Sequence, residues 1–267
     1  MKNTFIYKLA TLSDFRGAID EYGWVVYEKA INQKLISEIT TGFETAYLLR
    51  REIQVLNGIE ENMEGTLHHL LERDNFAIEL LSKLYCDREI RDFLGGNYIL
   101  NGINGVSSTK KSKSYIHNIH RDVRTFSRES KLMIQMIIVL DDFTIFNGAT
   151  HFLSGSHKLD MKPEEKHFKA FAEQAVAKKG SIILFDSNIW HAGGINFTRK
   201  QRRALTLGFT KPYIKQQFDY PRFLGYEFGE KIDNDLRQII GYNARVPASL
   251  QEYYKPVESR MYKSDQG

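Results

Sequence analysis

The sequence predicts a mainly β core with helices packed against its outside. Beyond residue 97 the apolar residues come in short runs separated by turn residues, at 98–106, 114–119, 131–140, 149–153, 180–185 and 203–210. Short runs at this spacing are typical of the strands of a barrel or sandwich. Before residue 98 the apolar residues recur at intervals of three and four, which indicates helices. The chain has no internal repeat and no Pro/Gly/Ser-rich linker, so we expect one domain over residues 1–267.

Residues 1–97 are expected to form a mostly helical N-terminal part. The apolar spacing predicts helices over 13–22, 32–56 and 67–84. The tetrapeptide 24–27, Trp-Val-Val-Tyr, predicts a strand, because aromatic and β-branched side chains favour extended backbone.

Residues 98–215 are expected to hold the barrel core, and residues 216–267 a C-terminal extension. The core segment contains all the short apolar runs described above. The extension mixes Gly, Pro and aromatic residues without a clear period, so the sequence predicts no particular element there.

The composition is that of an ordinary globular domain, with 42% hydrophobic and 26% charged residues. The single cysteine, Cys86, cannot form an internal disulfide, which favours a reducing compartment. No apolar run approaches the roughly 18 residues of a membrane span, and the first residues lack the apolar core of a signal peptide. The net charge of +4 is dispersed among acidic residues. We therefore expect a cytoplasmic protein with no membrane or nucleic-acid partner.

A histidine and a carboxylate stand two residues apart in His120-Arg121-Asp122. In extended chain, residues i and i+2 point to the same side, so both side chains can reach one metal ion. A third ligand is predicted in His191, 71 positions further on. Two histidines and one carboxylate leave three positions open on an octahedral metal, which is the ligand set of non-haem Fe(II) oxygenases. An H-x-D tripeptide alone is common as a hydrogen-bonded surface pair, so the prediction of a metal site also depends on the residues after His191.

Two arginines follow His191, and one of them is expected to hold the distal carboxylate of a 2-oxo acid, since a buried arginine binds carboxylate bidentately. Alternation along a strand sends Arg202 and Arg203 to opposite faces. Small residues continue the face of Arg202 and large apolar ones that of Arg203: Ala204, Thr206 and Gly208 against Leu205, Leu207 and Phe209. Because small residues leave room for a ligand, we predict Arg202 as the anchor. The alternative is a solvated basic pair at the start of a strand.

Four stretches extend this pattern along the chain. They are Glu21-Tyr22-Gly23-Trp24-Val25-Val26; His120-Arg121-Asp122; residues 141–150 (D-D-F-T-I-F-N-G-A-T) with Gly155-Ser156-His157-Lys158; and residues 190–196 (W-H-A-G-G-I-N) with Arg202. Taken together and in this order, they resemble the phytanoyl-CoA dioxygenase family of Fe(II)/2-oxoglutarate oxygenases. Ser154 departs from the family pattern, which usually has Pro before Gly-Ser-His; this changes a turn and no ligand.

The resemblance implies a double-stranded β-helix barrel of the jelly-roll or cupin-like kind, mainly β with flanking helices. It implies Fe(II) held by His120, Asp122 and His191, with 2-oxoglutarate anchored by Arg202 and O2 as the other cosubstrate. Relatives that halogenate replace the carboxylate ligand with a small residue. The presence of Asp122 therefore makes hydroxylation or another oxidation the expected outcome.

Two further polar residues lie in informative surroundings. Gln135 is the polar side chain inside the apolar run 132–140, and a buried amide needs a hydrogen-bond partner, here either the cosubstrate or the core. His157 has no partner carboxylate in its motif and is predicted to be structural. The loops expected to select the substrate are residues 107–119, 124–130 and 159–178.

The predicted function is Fe(II)- and 2-oxoglutarate-dependent oxidation of an unactivated C–H bond in a small-molecule substrate, with release of succinate and CO2. Two alternatives stay open. A metal-dependent hydrolase or isomerase could use the same ligands with zinc. A binding module could keep the barrel without turnover, because fold does not fix activity.

Overall fold

The computed structural model describes residues 2–110, 115–127 and 130–266, so parts of the predicted substrate loops 107–119 and 124–130 lie outside the described residues. The strands are β1 Thr4–Ile6, β2 Trp24–Glu28, β3 Thr66–Leu67, β4 Ile99–Ser108, β5 Met133–Val139, β6 His151–Phe152, β7 Glu173–Gln174, β8 Ile182–Asp186, β9 His191–Ala192 and β10 Arg202–Thr210. The α-helices are α1 Leu12–Glu21, α2 Gln33–Leu56, α3 Phe76–Ser82, α4 Asp87–Leu94, α5 Glu165–Phe171, α6 Tyr220–Leu224, α7 Tyr226–Gly229, α8 Asn234–Ile240 and α9 Leu250–Tyr253.

The first two helices begin where the sequence supplies side-chain caps. Thr11 and Asp14 form a capping box at the start of α1, in which each side chain accepts a hydrogen bond from the other's backbone N–H. Asn32 caps α2 by accepting from the backbone N–H of Leu35 at 2.9 Å. The predicted helices over 13–22 and 32–56 are thus confirmed to within a residue or two, as is the strand β2.

Two sheets face each other in the described part of the chain. The large sheet has the strand order β1-β2-β8-β5-β10-β4-β3, and the small one has the order β7-β6-β9. Trp24 of β2 stacks on Phe152 of β6 across the gap, with ring centroids 5.0 Å apart. Opposed, mainly antiparallel sheets are the architecture of a jelly roll, as predicted.

The large sheet is buried on both faces. Because successive side chains of a strand point to opposite faces, its residues belong alternately to an outer and an inner hydrophobic cluster. Phe15, Ile39 and Phe43 of α1 and α2 belong to the cluster on the outer face, which also contains Leu205 and Leu207 of β10. A second cluster fills the space between the sheets; from the large sheet it takes residues such as Val26, Ile137 and Ala204. The functional cavity described below adjoins this inner cluster.

The helix predicted over residues 67–84 is wrong for its first half. Leu67 belongs to β3, residues 68–75 form a loop, and within 67–84 only Phe76–Ser82 is α-helical. Leu70 and Leu71 are fully buried, yet His69 has φ of 56°, in the left-handed region that a right-handed helix cannot contain. The buried leucines anchor a loop, with the N–H of Leu70 donating to the carbonyl of Ile103 at 2.8 Å.

Other differences from the sequence prediction are smaller. The run 114–119, predicted as a strand, is a 3-10 turn at Tyr115–His117, and residue 114 lies outside the described residues. The run 149–153 contributes only the short strand β6. The C-terminal extension, for which no period was evident, folds as the four short helices α6 to α9. No helix in the described ranges combines the length and apolar character that crossing a membrane requires.

Candidate metal centre and its cavity

His120, Asp122 and His191 come together although 71 residues separate the two histidines. The backbones of His120 and His191 pair as an antiparallel bridge, with reciprocal N–H to carbonyl hydrogen bonds of 3.0 and 2.9 Å. The backbone N–H of Asp122 donates to the carbonyl of Ser187 at 3.1 Å, which fixes the carboxylate beside the imidazoles. One ligand atom from each of the three residues lies within 4.8 Å of the others. This spacing and donor set fit one transition-metal ion.

Hydrogen bonds orient both imidazoles with Nε2 toward the shared space. Nδ1 of His120 lies 2.7 Å from the carbonyl of Asn118, and Nδ1 of His191 lies 3.1 Å from the carbonyl of Ile189. A carbonyl oxygen only accepts, so each Nδ1 carries the proton and each Nε2 keeps its lone pair for a metal. The Nε2 atoms of the two histidines each stand 3.7 Å from a different oxygen of Asp122.

Burial keeps His191 in the neutral form that binds metals. Desolvation lowers its pKa to about 4, with a further lowering from His120 and an opposing rise from Asp122. The ring of Phe185 lies 5.0 Å from that of His191 and helps to exclude water. No proton therefore competes with a metal at this imidazole near neutral pH.

Arg121, between the two ligands of the H-x-D motif, joins the segments that carry the ligands. Its guanidinium lies 4.1 Å above the ring of Trp190, the residue before His191. It also donates to the carbonyls of Leu159 (2.9 Å) and Asp160 (2.5 Å). The side chain is 8% exposed. No sequence pattern distinguishes Arg121, but its contacts make it a candidate positioning residue.

Arg202 projects from β10 into the same cavity as the three candidate ligands. Its Nη2 donates to the carbonyl of Gly148 at 2.7 Å, and its guanidinium lies 4.6 Å from the centroid of Phe143. Nε has no hydrogen-bond partner among the described residues, and the residue is 3% exposed. Desolvation lowers the pKa of Arg202 to about 10, so the buried side chain still carries its charge near neutral pH. A buried cation with an unused donor fits an anionic ligand.

Close backbone packing positions the carbonyl that Arg202 contacts. Gly148 has φ of 84°, and a Cβ added there would lie 2.5 Å from the carbonyl oxygen of Gly194. Nearby, Asn147 and Asn196 form a backbone bridge. The motifs Asn147-Gly148 and Gly194-Ile195-Asn196 therefore together support the carbonyl that Arg202 contacts.

Arg203 lies on the opposite face and has different partners. It forms a salt bridge with Asp141 at 2.8 Å and another with Glu44 of α2 at 2.7 Å. These contacts leave no unpaired donor edge directed at the cavity. The alternation used to choose between the two arginines thus corresponds to the observed side-chain directions.

One cavity of about 240 Å³ contains all five predicted site residues: His120, Asp122, Gln135, His191 and Arg202. Gln135 is the register partner of Phe185 on β8 and of Gly208 on β10. Its Nε2 lies 3.5 Å from Sδ of Met133, a weak acceptor. His157, predicted to be structural, does not line the cavity; its Nε2 lies 3.1 Å from the carbonyl of Asp20.

Several cavity residues were not singled out from the sequence. Phe143 and Thr150 lie within the stretch 141–150, which was recognised as a motif without a role for either side chain. Asn104 and Gln217 also line the cavity, and no local pattern distinguishes them because distant segments bring them together.

Comparison with known proteins gives an independent result. The family model described as Phytanoyl-CoA dioxygenase (PhyH) matches residues 19–204. An uncharacterized protein of Mycobacterium tuberculosis, Rv1501, is 36% identical over 134 residues, covering 50% of this chain and 49% of that protein. "Dioxygenase sphC" of Aspergillus fumigatus is 20% identical over 245 residues, covering 85% of this chain and 66% of the relative. The chain thus spans from about half to two thirds of the length of these curated relatives.

Solved structures confirm the predicted fold. EctD from S. alaskensis, crystallised with 2-oxoglutarate and 5-hydroxyectoine, matches with a TM-score of 0.61 at 16% identity, over 75% of this chain and 76% of that one. AviO1 from Streptomyces viridochromogenes Tue57 matches with a TM-score of 0.56 at 18% identity, over 77% of this chain and 98% of that one. At these identities the likeness concerns the fold alone.

Proposed function

Because the chain belongs to the phytanoyl-CoA dioxygenase family, we propose that it is an Fe(II)- and 2-oxoglutarate-dependent dioxygenase. The proposed reaction hydroxylates, or otherwise oxidises, an unactivated C–H bond of a small molecule. In the hydroxylation, one atom of O2 enters the product and the other enters succinate, while C1 of 2-oxoglutarate leaves as CO2. The observation that carries the proposal is the shared cavity: a two-histidine, one-carboxylate set and a buried arginine with an unpaired Nε face the same space.

His120, Asp122 and His191 would hold the iron. Iron with bound 2-oxoglutarate supplies the oxidising chemistry, and the chain supplies orientation, charge and exclusion of water. The carbonyls of Asn118 and Ile189 hold the imidazole tautomers. With three ligands from the protein, the metal would keep positions open for 2-oxoglutarate and O2.

Arg202 would bind the distal carboxylate of 2-oxoglutarate. Its free Nε and its burial beside Phe143 give a strong, directional site for an anion, because a charge-assisted hydrogen bond is strongest where water is excluded. A hydrolase using the same ligands would have no evident use for this buried cation. Gln135 is proposed as a second hydrogen-bonding partner of the cosubstrate, since its amide faces the cavity beside Phe185, which contacts His191.

The domain organisation and location proposed from the sequence are compatible with this role. We propose a single catalytic domain over residues 1–267 that acts in the cytoplasm on a small-molecule substrate. The free thiol of Cys86 is buried, as expected for a structural cysteine in a reducing compartment.

The proposal is tested by supplying 18O2 to protein loaded with Fe(II) and 2-oxoglutarate and analysing succinate by mass spectrometry. Succinate carrying one 18O atom is expected from the wild type, even without substrate, through slow uncoupled turnover. Asp122→Ala is the matched control, with a single ligand removed. If wild-type protein binds both ligands but yields no more labelled succinate than this variant, the dioxygenase assignment is refuted.

A further inference from the structure

The cavity continues beyond the metal ligands along the paired strands β4 and β10. The register places four inward-facing pairs in sequence: Arg202 with Ser108, Ala204 with Val106, Thr206 with Asn104, and Gly208 with Gly102. The wall therefore changes from a cationic end, through a small apolar row, to a polar row and then to bare backbone. We call the part beyond the apolar row the amide chamber; it is bounded by Asn101, Gly102, Asn104, Thr206, Gly208 and Gln217.

The glycine pair at the end of this wall leaves a flat trough bordered by amides. A Cβ added to Gly102 would lie 3.4 Å from Oε1 of Gln217 and 3.7 Å from Nδ2 of Asn104. A Cβ added to Gly208 would lie 3.2 Å from Oε1 of Gln135. Amide groups thus border the cavity-lining backbone of both glycines, at ordinary contact distances from a Cβ at Gly102 and at a tighter distance from one at Gly208.

The chamber amides present hydrogen-bonding groups that the protein itself does not use. Oδ1 of Asn104 accepts from the backbone N–H of His69 at 3.1 Å, which leaves Nδ2 without a partner among the described residues. Asn101, which is 4% exposed, donates its Nδ2 to the carbonyl of Lys215, and its Oδ1 accepts no hydrogen bond from the part of the chain that the structure describes. Gln217 also lines the cavity; it is exposed, and its side chain forms no hydrogen bond to a group in the ranges that the structure describes.

Full charges are confined to the other end of the cavity. Among the described lining residues, Asp122 and Arg202 are the only acidic or basic side chains apart from histidines, and the proposed function already engages both. His68, at the edge of the chamber, has its pKa lowered by burial and is neutral near pH 7. A carboxylate or phosphate in the amide chamber would therefore find no counter-charge among the described lining residues.

We propose that the part of the substrate held in the amide chamber is a neutral, polyhydroxylated ring of the sugar type. This inference rests on the proposed function and names the substrate class for the same site. A ring can lie against the backbone of Gly102, where no atom comes closer than 3.4 Å to the position of a Cβ. Its hydroxyl groups both donate and accept, which matches amides that offer a donor nitrogen at Asn104 and an acceptor oxygen at Asn101. A hydrocarbon chain in this place would leave those groups without partners.

The test uses methyl glycosides of glucose, galactose and mannose as probes, with the corresponding uronates and a medium-chain acyl amide as comparison compounds. Each is added to the anaerobic protein loaded with Fe(II) and 2-oxoglutarate, and binding is read from the change in the visible absorption of that complex. At least one neutral glycoside is expected to bind about 10-fold or more tightly than its uronate and than the acyl amide. Preference for an acid or the acyl amide, or no response to any glycoside, would overturn the proposal.

Two substitutions connect the response to the chamber. Gly102→Val fills the trough at a position where a Cβ meets only ordinary contacts, and Asn104→Leu removes an amide. Both are expected to weaken glycoside binding about 10-fold or more, while the absorption of the Fe(II)/2-oxoglutarate complex is unchanged. Gln251→Leu, an exposed amide on α9, is the matched control and should leave both unchanged. Glycoside binding that survives both chamber substitutions would refute the assignment, whereas absence of the parent absorption would instead refute the proposed function.

Discussion

Arg202→Met should weaken 2-oxoglutarate binding by roughly 30-fold or more, with little effect on the stability of the ligand-free protein. The substitution keeps the length of the side chain and removes its charge. Burial lowers the pKa of Arg202 to about 10, and since one pKa unit is equivalent to about 1.4 kcal/mol, burying the charged form costs about 3 kcal/mol. The opposing gains are a charged hydrogen bond to Gly148, about 1.5–3 kcal/mol, and the contact with Phe143, about 1–2 kcal/mol. These contributions largely cancel, so we expect a change in the free energy of unfolding within about 2 kcal/mol.

The ligand-bound state should respond much more strongly. At 2-oxoglutarate concentrations 100-fold above its dissociation constant, the wild type gains about 2.7 kcal/mol in its free energy of unfolding. Loss of a buried charge pair costs about 2–5 kcal/mol of binding, equivalent to an affinity at least roughly 30-fold lower. At the same ligand concentration, Arg202→Met should then retain less than about 1 kcal/mol of the ligand-induced stabilisation.

The assay is equilibrium urea unfolding with and without 2-oxoglutarate, with redox-inert Mn(II) in place of iron. Arg203→Met is the matched control, because it removes the neighbouring cation on the other face of β10. It breaks the salt bridges to Asp141 and Glu44 and should destabilise the protein by about 2 kcal/mol in both conditions, leaving the ligand-induced gain intact. Full stabilisation of Arg202→Met by 2-oxoglutarate, or its loss in Arg203→Met, would refute the reasoning.

Three further substitutions test the support of the site. Gly148→Ala places a Cβ at φ of 84° and 2.5 Å from a carbonyl oxygen, so its free energy of unfolding in urea should fall by about 2 kcal/mol or more. The control is Gly17→Ala, on an open face of α1, whose free energy of unfolding should rise by up to about 1 kcal/mol. Arg121→Leu removes the contact that joins the ligand segments and should weaken Fe(II) affinity about 10-fold in a competition titration, whereas exposed Arg124→Leu should not. In metal-free protein, acidification from pH 7 to 5 should lower the free energy of unfolding by about 2 kcal/mol more in the wild type than in His191→Leu. The reason is that between about pH 4 and 6.5 the imidazole of His191 binds a proton in the unfolded state but not in the folded state.

Each of these expectations has a result that contradicts it. Equal stability of Gly148→Ala and wild type would mean that the backbone approach to Gly194 is not tight. Unchanged Fe(II) affinity in Arg121→Leu would show that the contact with Trp190 does not position the ligands. Parallel pH profiles for the wild type and His191→Leu would mean that the buried imidazole titrates as it does in water.

Periodicity predicted the long helix α2, whose apolar stripe extends over many turns. Strand β2 was predicted instead from its aromatic and β-branched residues. The same signal failed over residues 67–84, because buried leucines anchor a loop as well as a helix, and left-handed residues such as His69 give no hydrophobic pattern. Strand β1 has three residues and pairs in parallel with β2, so it is too short to show a period.

The candidate site divides in the same way. The local rule that strand residues alternate was enough to separate Arg202 from Arg203, since their faces differ in size and polarity. No periodicity could bring His191 beside His120; that pairing was predicted from the donor set that an iron site needs, and the order of the family motifs then supported it. Asn104 and Gln217 meet across more than a hundred residues, because β4 and the segment after β10 converge at the cavity mouth, and only the folded chain places them together.

The central claim is that His120, Asp122 and His191 bind iron in the cavity where Arg202 receives 2-oxoglutarate. Its most direct test is anaerobic addition of Fe(II) and then 2-oxoglutarate to metal-free protein, with the visible charge-transfer band of the chelated oxo acid as the readout. We expect the band in the wild type and in Arg203→Met, and its loss or strong weakening in Asp122→Ala and Arg202→Met. A folded wild type that binds Fe(II) without developing the band, or an undiminished band in Asp122→Ala, would contradict the claim.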